Sequence, residues 1–196
     1  MTKATKRTRA LTGTAMLAAV ATILMYMEFP IPIMPGFIKM DISELPALIA
    51  SFAYGPLSGI AVCLIKNLIK LPSTSTAAVG ELFNFVMGAL FVGVAGIVYK
   101  KNKTRKGAII GAVAGALIMA LVSLPYNYFV VYPAYVVCYG LPLDAIIGMY
   151  QAILPSSDSL IKCLTIFNMP FTFFKGMLCV VLCFLIYKPL SPLLHK

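Results

Sequence analysis

Glu81 and Asn84 stand three residues apart in 80-GELFNFVMG-88, and Thr172 and Lys175 repeat that spacing in 169-MPFTFFKG-176. On a helix this spacing puts both members of each pair on one face. Lys39, Asp41 and Glu44, with Asn127, add further charged and hydrogen-bonding groups, and Phe83, Phe85, Tyr126, Tyr128, Phe171, Phe173 and Phe174 lie around them. A few fixed polar groups among aromatic walls suit the recognition of a planar, hydrogen-bonding small molecule. Catalysis fits less well. Acid–base or nucleophilic chemistry needs paired groups or a nucleophile beside its base, and the single histidine, His195, sits in the terminal tail. Glu81 with Lys175 could in principle exchange a proton, which leaves a gradient-driven carrier as an alternative. Cys63, Cys138, Cys163, Cys179 and Cys183 form no C-x-x-C pair, so no metal site is expected and buried free thiols are the natural reading. Cys138 is the exception, being expected outside the bundle.

The elements that must position these groups are membrane helices. Of 196 residues, 61% are hydrophobic and 11% charged, with a mean hydropathy of +0.95. Soluble proteins run at roughly 45–50% and about 25%. Apolar runs at 10–27, 45–65, 78–99, 107–124 and 176–187 approach the roughly 20 residues a helix needs to cross a bilayer, so the expected fold is an all-α integral membrane bundle in one domain, 1–196. The basic stretch Met1 to Arg9 runs into a long apolar segment without a small-residue cleavage site and reads as a retained first helix. The formal net charge of +10 sits mainly at helix ends, where Lys and Arg meet anionic lipid, and does not point to nucleic acid.

Charge also sets the path. Basic clusters at Lys3 to Arg9, at 100-KKNKTRK-106, and at the end with Lys188 and Lys196 are all expected in the cytoplasm. An even number of crossings must separate the first two, yet a simple count finds three spans. The break in 39-KMDISELPALIASFAYGPLSGIAVCLIKNLIKL-71 is Gly55-Pro56, where glycine permits a tight turn and proline lacks the N–H a helix needs. Splitting there predicts six helices, about 10–27, 41–54, 56–71, 79–99, 107–131 and 168–188, with both termini cytoplasmic. The connection 132–167 becomes an extracellular loop with a short helix near 143–154. The alternative is one proline-kinked helix with the loop 100–106 outside. In the split reading Lys39, Asp41, Glu81, Asn84, Asn127, Thr172 and Lys175 converge on the outer side. Ala15 and Ala19, four apart on the first helix, would let another helix approach closely.

The sequence lacks a G-x-x-x-x-G-K-[ST] phosphate loop, so uphill transport would draw on another chain or on an ion gradient. The run 35-PGFIKMDISELPALIASFAYGPLSGIAVCLIKNLIK-70, with 80-GELFNFVMG-88, 125-PYNYFVVYP-133 and 169-MPFTFFKG-176, resembles the riboflavin-specific substrate-binding (S) components of energy-coupling factor (ECF) transporters. The resemblance implies a six-helix protein of the bacterial plasma membrane that binds riboflavin from outside, with no enzymatic activity and no resident cofactor. It also implies a membrane coupling subunit, met by Ala15 and Ala19, and two cytoplasmic ATPases. Lys39 and Asp41 match the motif before the second helix, Glu81 and Asn84 the G-E-x-x-N-F motif, Asn127 the N-Y motif, and Lys175 the K-G of the sixth helix. Thr172 stands where the family pattern has Asn, and Asn168 one turn earlier is a substitute. Another vitamin's S component remains a further alternative at this stage.

Overall fold

The computed structural model describes residues 3–140 and 142–195; Lys196, part of the third basic cluster, lies outside them. The first helix, α1 (Lys3–Tyr26), leads into a loop folded on itself by a two-residue bridge, β1 (Phe29–Pro30) pairing antiparallel with β2 (Lys39–Met40). Then come α2 (Glu44–Tyr54) and α3 (Pro56–Lys70), broken apart at Gly55. Gly55 has φ 106°, a conformation that only glycine adopts without strain, and Pro56 opens α3 where no amide donor is required. Both helices are short, about 16 Å and 22 Å at 1.5 Å per residue. Every residue of α2 from Glu44 to Phe52 is buried, so α2 is an interior element surrounded by α1, α3, α4 and α9.

Helices α4 (Val79–Lys101) and α5 (Arg105–Tyr126) form a long antiparallel pair joined at the lysine-rich loop, where the Thr104 hydroxyl accepts from the Gly107 amide and caps α5. Small residues bring the two backbones together: a Cβ on Gly115 would stand 2.4 Å from the Phe91 carbonyl oxygen, and one on Gly111 2.8 Å from that of Ala95. Valine at Gly115 is therefore expected to force α4 and α5 apart and to cost about 1–3 kcal/mol, read as a lowered melting temperature in detergent. An unchanged melting temperature would show that this contact is slack. Ser51 reinforces the same core by donating to the Val92 carbonyl at 2.7 Å, over Gly96.

Beyond α5 the structure departs from the expected loop. A π-helical turn, Asn127–Val131, carries the helix on into α6 (Tyr132–Tyr139), and α8 (Leu160–Cys163) runs through a second π-turn, Leu164–Asn168, into α9 (Met169–His195). The helix expected over 107–131 thus extends to Tyr139, and the one expected from 168 begins at Leu160. What was expected as a loop over 132–167 shrinks to about 140–159 around α7 (Leu143–Gln151). The cause is proline tolerance: Pro133 stands two residues past the π-turn inside one continuous helical stretch, and membrane helices accommodate proline through such local π adjustments. Among the described residues four helical stretches are long and apolar enough to cross a membrane: Ala4–Tyr26, Val79–Lys101, Arg105–Cys138 and Leu160–Ile186.

Two buried clusters result. The larger joins α1, α2, α3, α4, α5 and α9; the smaller lies under α7 and joins Val131, Tyr132, Ile146, Tyr150, Cys163 and Leu164. Cys63, Cys163, Cys179 and Cys183 are buried free thiols, and Cys138 is exposed.

Candidate functional site

One cavity lies where the loop 27–43 meets α4, the two π-turns and α9. Its lining includes Lys39, Asp41, Glu81, Asn84, Asn127, Asn168, Thr172 and Lys175, so the residues singled out in the sequence from four separate segments come together. The cavity opens to solvent, and it and the open space at its mouth together amount to about 1030 Å³; Phe37, Phe83, Phe171, Tyr132 and Tyr135 supply aromatic walls. Of the aromatic residues expected there, Phe83 and Phe171 line the cavity, whereas Phe85, Tyr126, Tyr128, Phe173 and Phe174 do not, and Tyr128, Phe173 and Phe174 are 41%, 36% and 60% exposed.

The floor is a closed ring of charges. Asp41 sits in the turn before α2 because its Oδ1 accepts from the Ser43 amide at 2.8 Å, as aspartate does at turns, and from the Ser43 hydroxyl. That leaves Oδ2 to pair with Lys175 Nζ at 2.8 Å. Lys175 Nζ also lies 3.4 Å from Glu44 Oε2, while Glu44 Oε1 takes Lys66 Nζ at 2.8 Å. Lys66 donates in turn to the Ser43 hydroxyl, which completes the ring. With two lysines and two carboxylates it is electrically balanced, the condition for charges at this depth to be tolerated.

A second ionic group ties down the loop. Glu28 Oε1 receives Lys39 at 2.9 Å and Lys70 at 3.0 Å, and Lys70 also donates to the Met25 carbonyl and lies 4.8 Å from the centre of the Tyr26 ring. Burial opposes ionisation of Glu28, but hydrogen bonds and attraction from Lys39 and Lys70 outweigh it and hold the carboxyl below its ordinary value of 4.5. A carboxyl with a lowered native pKa stabilises above its unfolded value and loses that contribution as pH falls through the native one. Protection of the amides over 27–43, taken relative to their intrinsic exchange rate at each pH, should therefore fall on acidification from about pH 6 to about pH 3, and Glu28→Gln should remove that dependence. Protection that falls equally in the variant would assign the effect to another group.

Around the walls, Glu81 Oε2 accepts from the Thr74 and Thr76 hydroxyls at 2.7 and 3.0 Å. These bonds brace the turn before α4, where Ala77 and Ala78 take φ of 45° and 67°, a conformation costly for alanine and held here by its surroundings. Glu81 and Lys175 are thus engaged separately and form no pair that could pass a proton. Asn127 donates one N–H to the Ser123 carbonyl at 2.8 Å and keeps a second N–H for the cavity. Asn168 is more committed: its carbonyl oxygen accepts from Tyr150 at 2.7 Å and its amide donates to the Tyr132 hydroxyl at 3.0 Å, while the two tyrosine hydroxyls bond each other. It ties α7 to α9 and α6, with one N–H left over. Thr172 and Asn84 face the cavity without a hydrogen bond to another described residue.

Sequence reasoning passed over Glu28, Lys66 and Lys70. The available signal was the i, i+4 spacing of Lys66 and Lys70 inside an apolar helix, where ionisable residues are costly and need partners. Ala15 and Ala19 lie far from the cavity, on an exposed side of α1 that also carries Leu11, Met16 and Ile23. Among the described residues no group of His, Cys, Asp and Glu could hold a metal ion.

A helical membrane bundle with a polar, aromatic-walled cavity at one end has the features of a small-molecule binding protein. The family description "ECF transporter, substrate-specific component" matches residues 9–187, and the chain belongs to that family of integral membrane proteins. It is similar to "Riboflavin transporter RibU" of Staphylococcus aureus (strain TCH60), 31% identical over 93% of this chain and 90% of that protein. It is also similar to "Riboflavin transporter FmnP" of Bacillus subtilis (strain 168), 33% identical over 93% and 92%. A solved structure described as "Structure and mechanism of the S component of a bacterial ECF transporter" superposes with a TM-score of 0.76 at 30% identity, covering 97% of this chain and 99% of that one.

Proposed function

We propose that this chain captures riboflavin from outside the cell and delivers it inward with a membrane coupling subunit and two cytoplasmic ATPases. The observation that carries the reading is the meeting of Lys39, Asp41, Glu81, Asn84, Asn127, Asn168, Thr172 and Lys175 around one aromatic-walled cavity. The names of the relatives supply the ligand. In this reading the isoalloxazine ring lies between the aromatic walls, Asn127, Thr172 and Lys175 meet its carbonyl edge, and the ribityl hydroxyls meet Glu81, Asn84 and the loop that carries Lys39 and Asp41. Asn168 acts mainly by holding Tyr132 and Tyr150. The loop's Pro30, Pro32 and Pro35 limit the entropy lost when it closes over the ligand.

The chain crosses the membrane six times in this reading, α2 and α3 being two short crossings inside the bundle, with both termini and the loop 100–106 in the cytoplasm. Parity of the basic clusters supports it, as does the chain reversal at Gly55. Ala15 and Ala19, small and exposed on α1, are where the coupling subunit approaches.

Titration of the purified protein with riboflavin, followed by flavin fluorescence, tests the ligand. Quenching that saturates near one equivalent is expected, with Asn127→Ala weakening binding by about 10-fold. Fluorescence unchanged by excess protein would remove riboflavin and leave another vitamin as the ligand. Uptake in cells should stop when the partner ATPases are deleted; uptake that instead collapses only with the proton gradient would favour a secondary carrier.

A further inference from the structure

Three buried side-chain atoms among the described residues have no hydrogen-bond partner: Glu44 Oε2, Asn67 Oδ1 and Ser157 Oγ. Of these residues only Glu44 lines the cavity. Its carboxylate is held from behind, since Oε1 is fixed by Lys66 at 2.8 Å and the residue is 3% exposed. Lys175 Nζ lies 3.4 Å from Oε2, but its hydrogen bond goes to Asp41 Oδ2 at 2.8 Å. A buried carboxylate oxygen without a donor is costly, and Glu44 is one of the residues that line the cavity, so a ligand bound there could bring the missing donor once the side chain adjusts to it. The floor therefore presents a donor and an acceptor side by side: the lysine ammonium, with N–H groups to spare, and the vacant carboxylate oxygen.

We propose that Glu44 is a specificity-determining residue that, with Lys175, recognises the adjacent carbonyl and N–H of a cyclic imide. The inference rests on the riboflavin reading and deepens it. An imide edge offers an oxygen acceptor directly beside an N–H donor, the complement of the Lys175 and Glu44 pair. Riboflavin carries such an edge on its pyrimidine ring. Lys175 donates to a ring carbonyl, and the ring N–H between the two carbonyls donates to Glu44 Oε2. No proton is transferred. Ligands of similar shape that have an acceptor or an alkyl group in place of that N–H are rejected, because Oε2 would then stay buried without a hydrogen-bond donor.

The test compares riboflavin with 3-methylriboflavin, which lacks the imide N–H, on the parent protein and on Glu44→Gln. Lys66 fixes the glutamine so that its carbonyl oxygen faces the lysine and its amide nitrogen faces the cavity, which turns the acceptor into a donor. On the parent, the methylated ligand is expected to bind roughly 30-fold more weakly. In the variant riboflavin should lose roughly 30-fold while the methylated ligand stays within about 3-fold of its parent value. Equal losses for both ligands would make Glu44 a purely structural residue and overturn the inference while leaving the riboflavin reading intact. A parent that binds neither flavin overturns the reading, and the inference with it. Should Glu44→Gln fail to fold, Lys66→Met with Glu44→Leu removes the acceptor together with the cation it balances, and the same ratio of ligand affinities decides.

Discussion

Replacing Lys175 with alanine is expected to lower riboflavin affinity by about 100-fold or more and to lower thermal stability in the same variant. Both effects come from one ammonium. Lys175 is the cation for Asp41, at 2.8 Å, and lies 3.4 Å from Glu44 Oε2. Its removal takes a donor from the ligand and leaves a buried aspartate with only Ser43 for support. Breaking a buried ion pair by deleting one partner costs about 3–5 kcal/mol, a large share of the 5–15 kcal/mol that typically separates folded from unfolded chains. The two effects separate by experiment: flavin titration reads the ligand contact, and melting of the ligand-free protein in detergent reads the ring. Lys175→Arg keeps the charge and should recover stability better than affinity, because a planar guanidinium cannot place its donors where a point charge did. A Lys175→Ala protein that melts like the parent and binds riboflavin as well would contradict the whole account of the cavity floor.

The positions that could be read from the sequence are those where one residue leaves the chain little choice. Gly55-Pro56 is such a place: a helix cannot pass a positive φ followed by an imide nitrogen, so the break followed from residue type and from the parity of basic clusters. The three-residue spacings of Glu81 with Asn84 and Thr172 with Lys175 likewise fix a shared helical face. Where the chain passes Pro133 the same logic misleads. Proline in an apolar helix is a stop signal in water, but membrane helices tolerate it through local π adjustments, and here the helix passes a π-turn just before Pro133 and goes on to Tyr139. That continuation places Tyr132 and Tyr135 on the cavity wall, positions the expected loop had not assigned.

The charge ring was only half legible for a different reason. Asp41 and Lys175 stand in motifs flanked by loop or aromatic residues and draw attention, whereas Lys66 is embedded in CLIKNLIK and reads as a helix end near the membrane surface. Its burial follows from the shortness of α2 and the turn at Gly55, which fold α3 back so that Lys66 meets the first turn of α2, with Ser43 and Glu44 as its partners. Sequence spacing gives local faces; it does not give the partner that a chain reversal delivers.

That partnership makes a second large prediction. Lys66→Met alone should destabilise the protein by about 3–5 kcal/mol, enough to depress expression and the melting temperature of whatever folds. The variant keeps Asp41, Glu44 and Lys175, so one buried carboxylate charge is left without a counter-ion. Adding Glu44→Leu removes that charge and leaves the Asp41–Lys175 pair, balanced and 2.8 Å apart, with Ser43 still bonded to Asp41. The double variant should therefore be more stable than the single one, with a coupling near 3 kcal/mol, because replacing a buried ion pair by apolar groups of similar size is often neutral or stabilising. Its affinity for riboflavin should remain low, since the acceptor proposed for the imide is gone. Stability would then return without binding. Additive losses in the two substitutions would mean that Lys66 and Glu44 act independently, and that the ring is not one electrostatic unit.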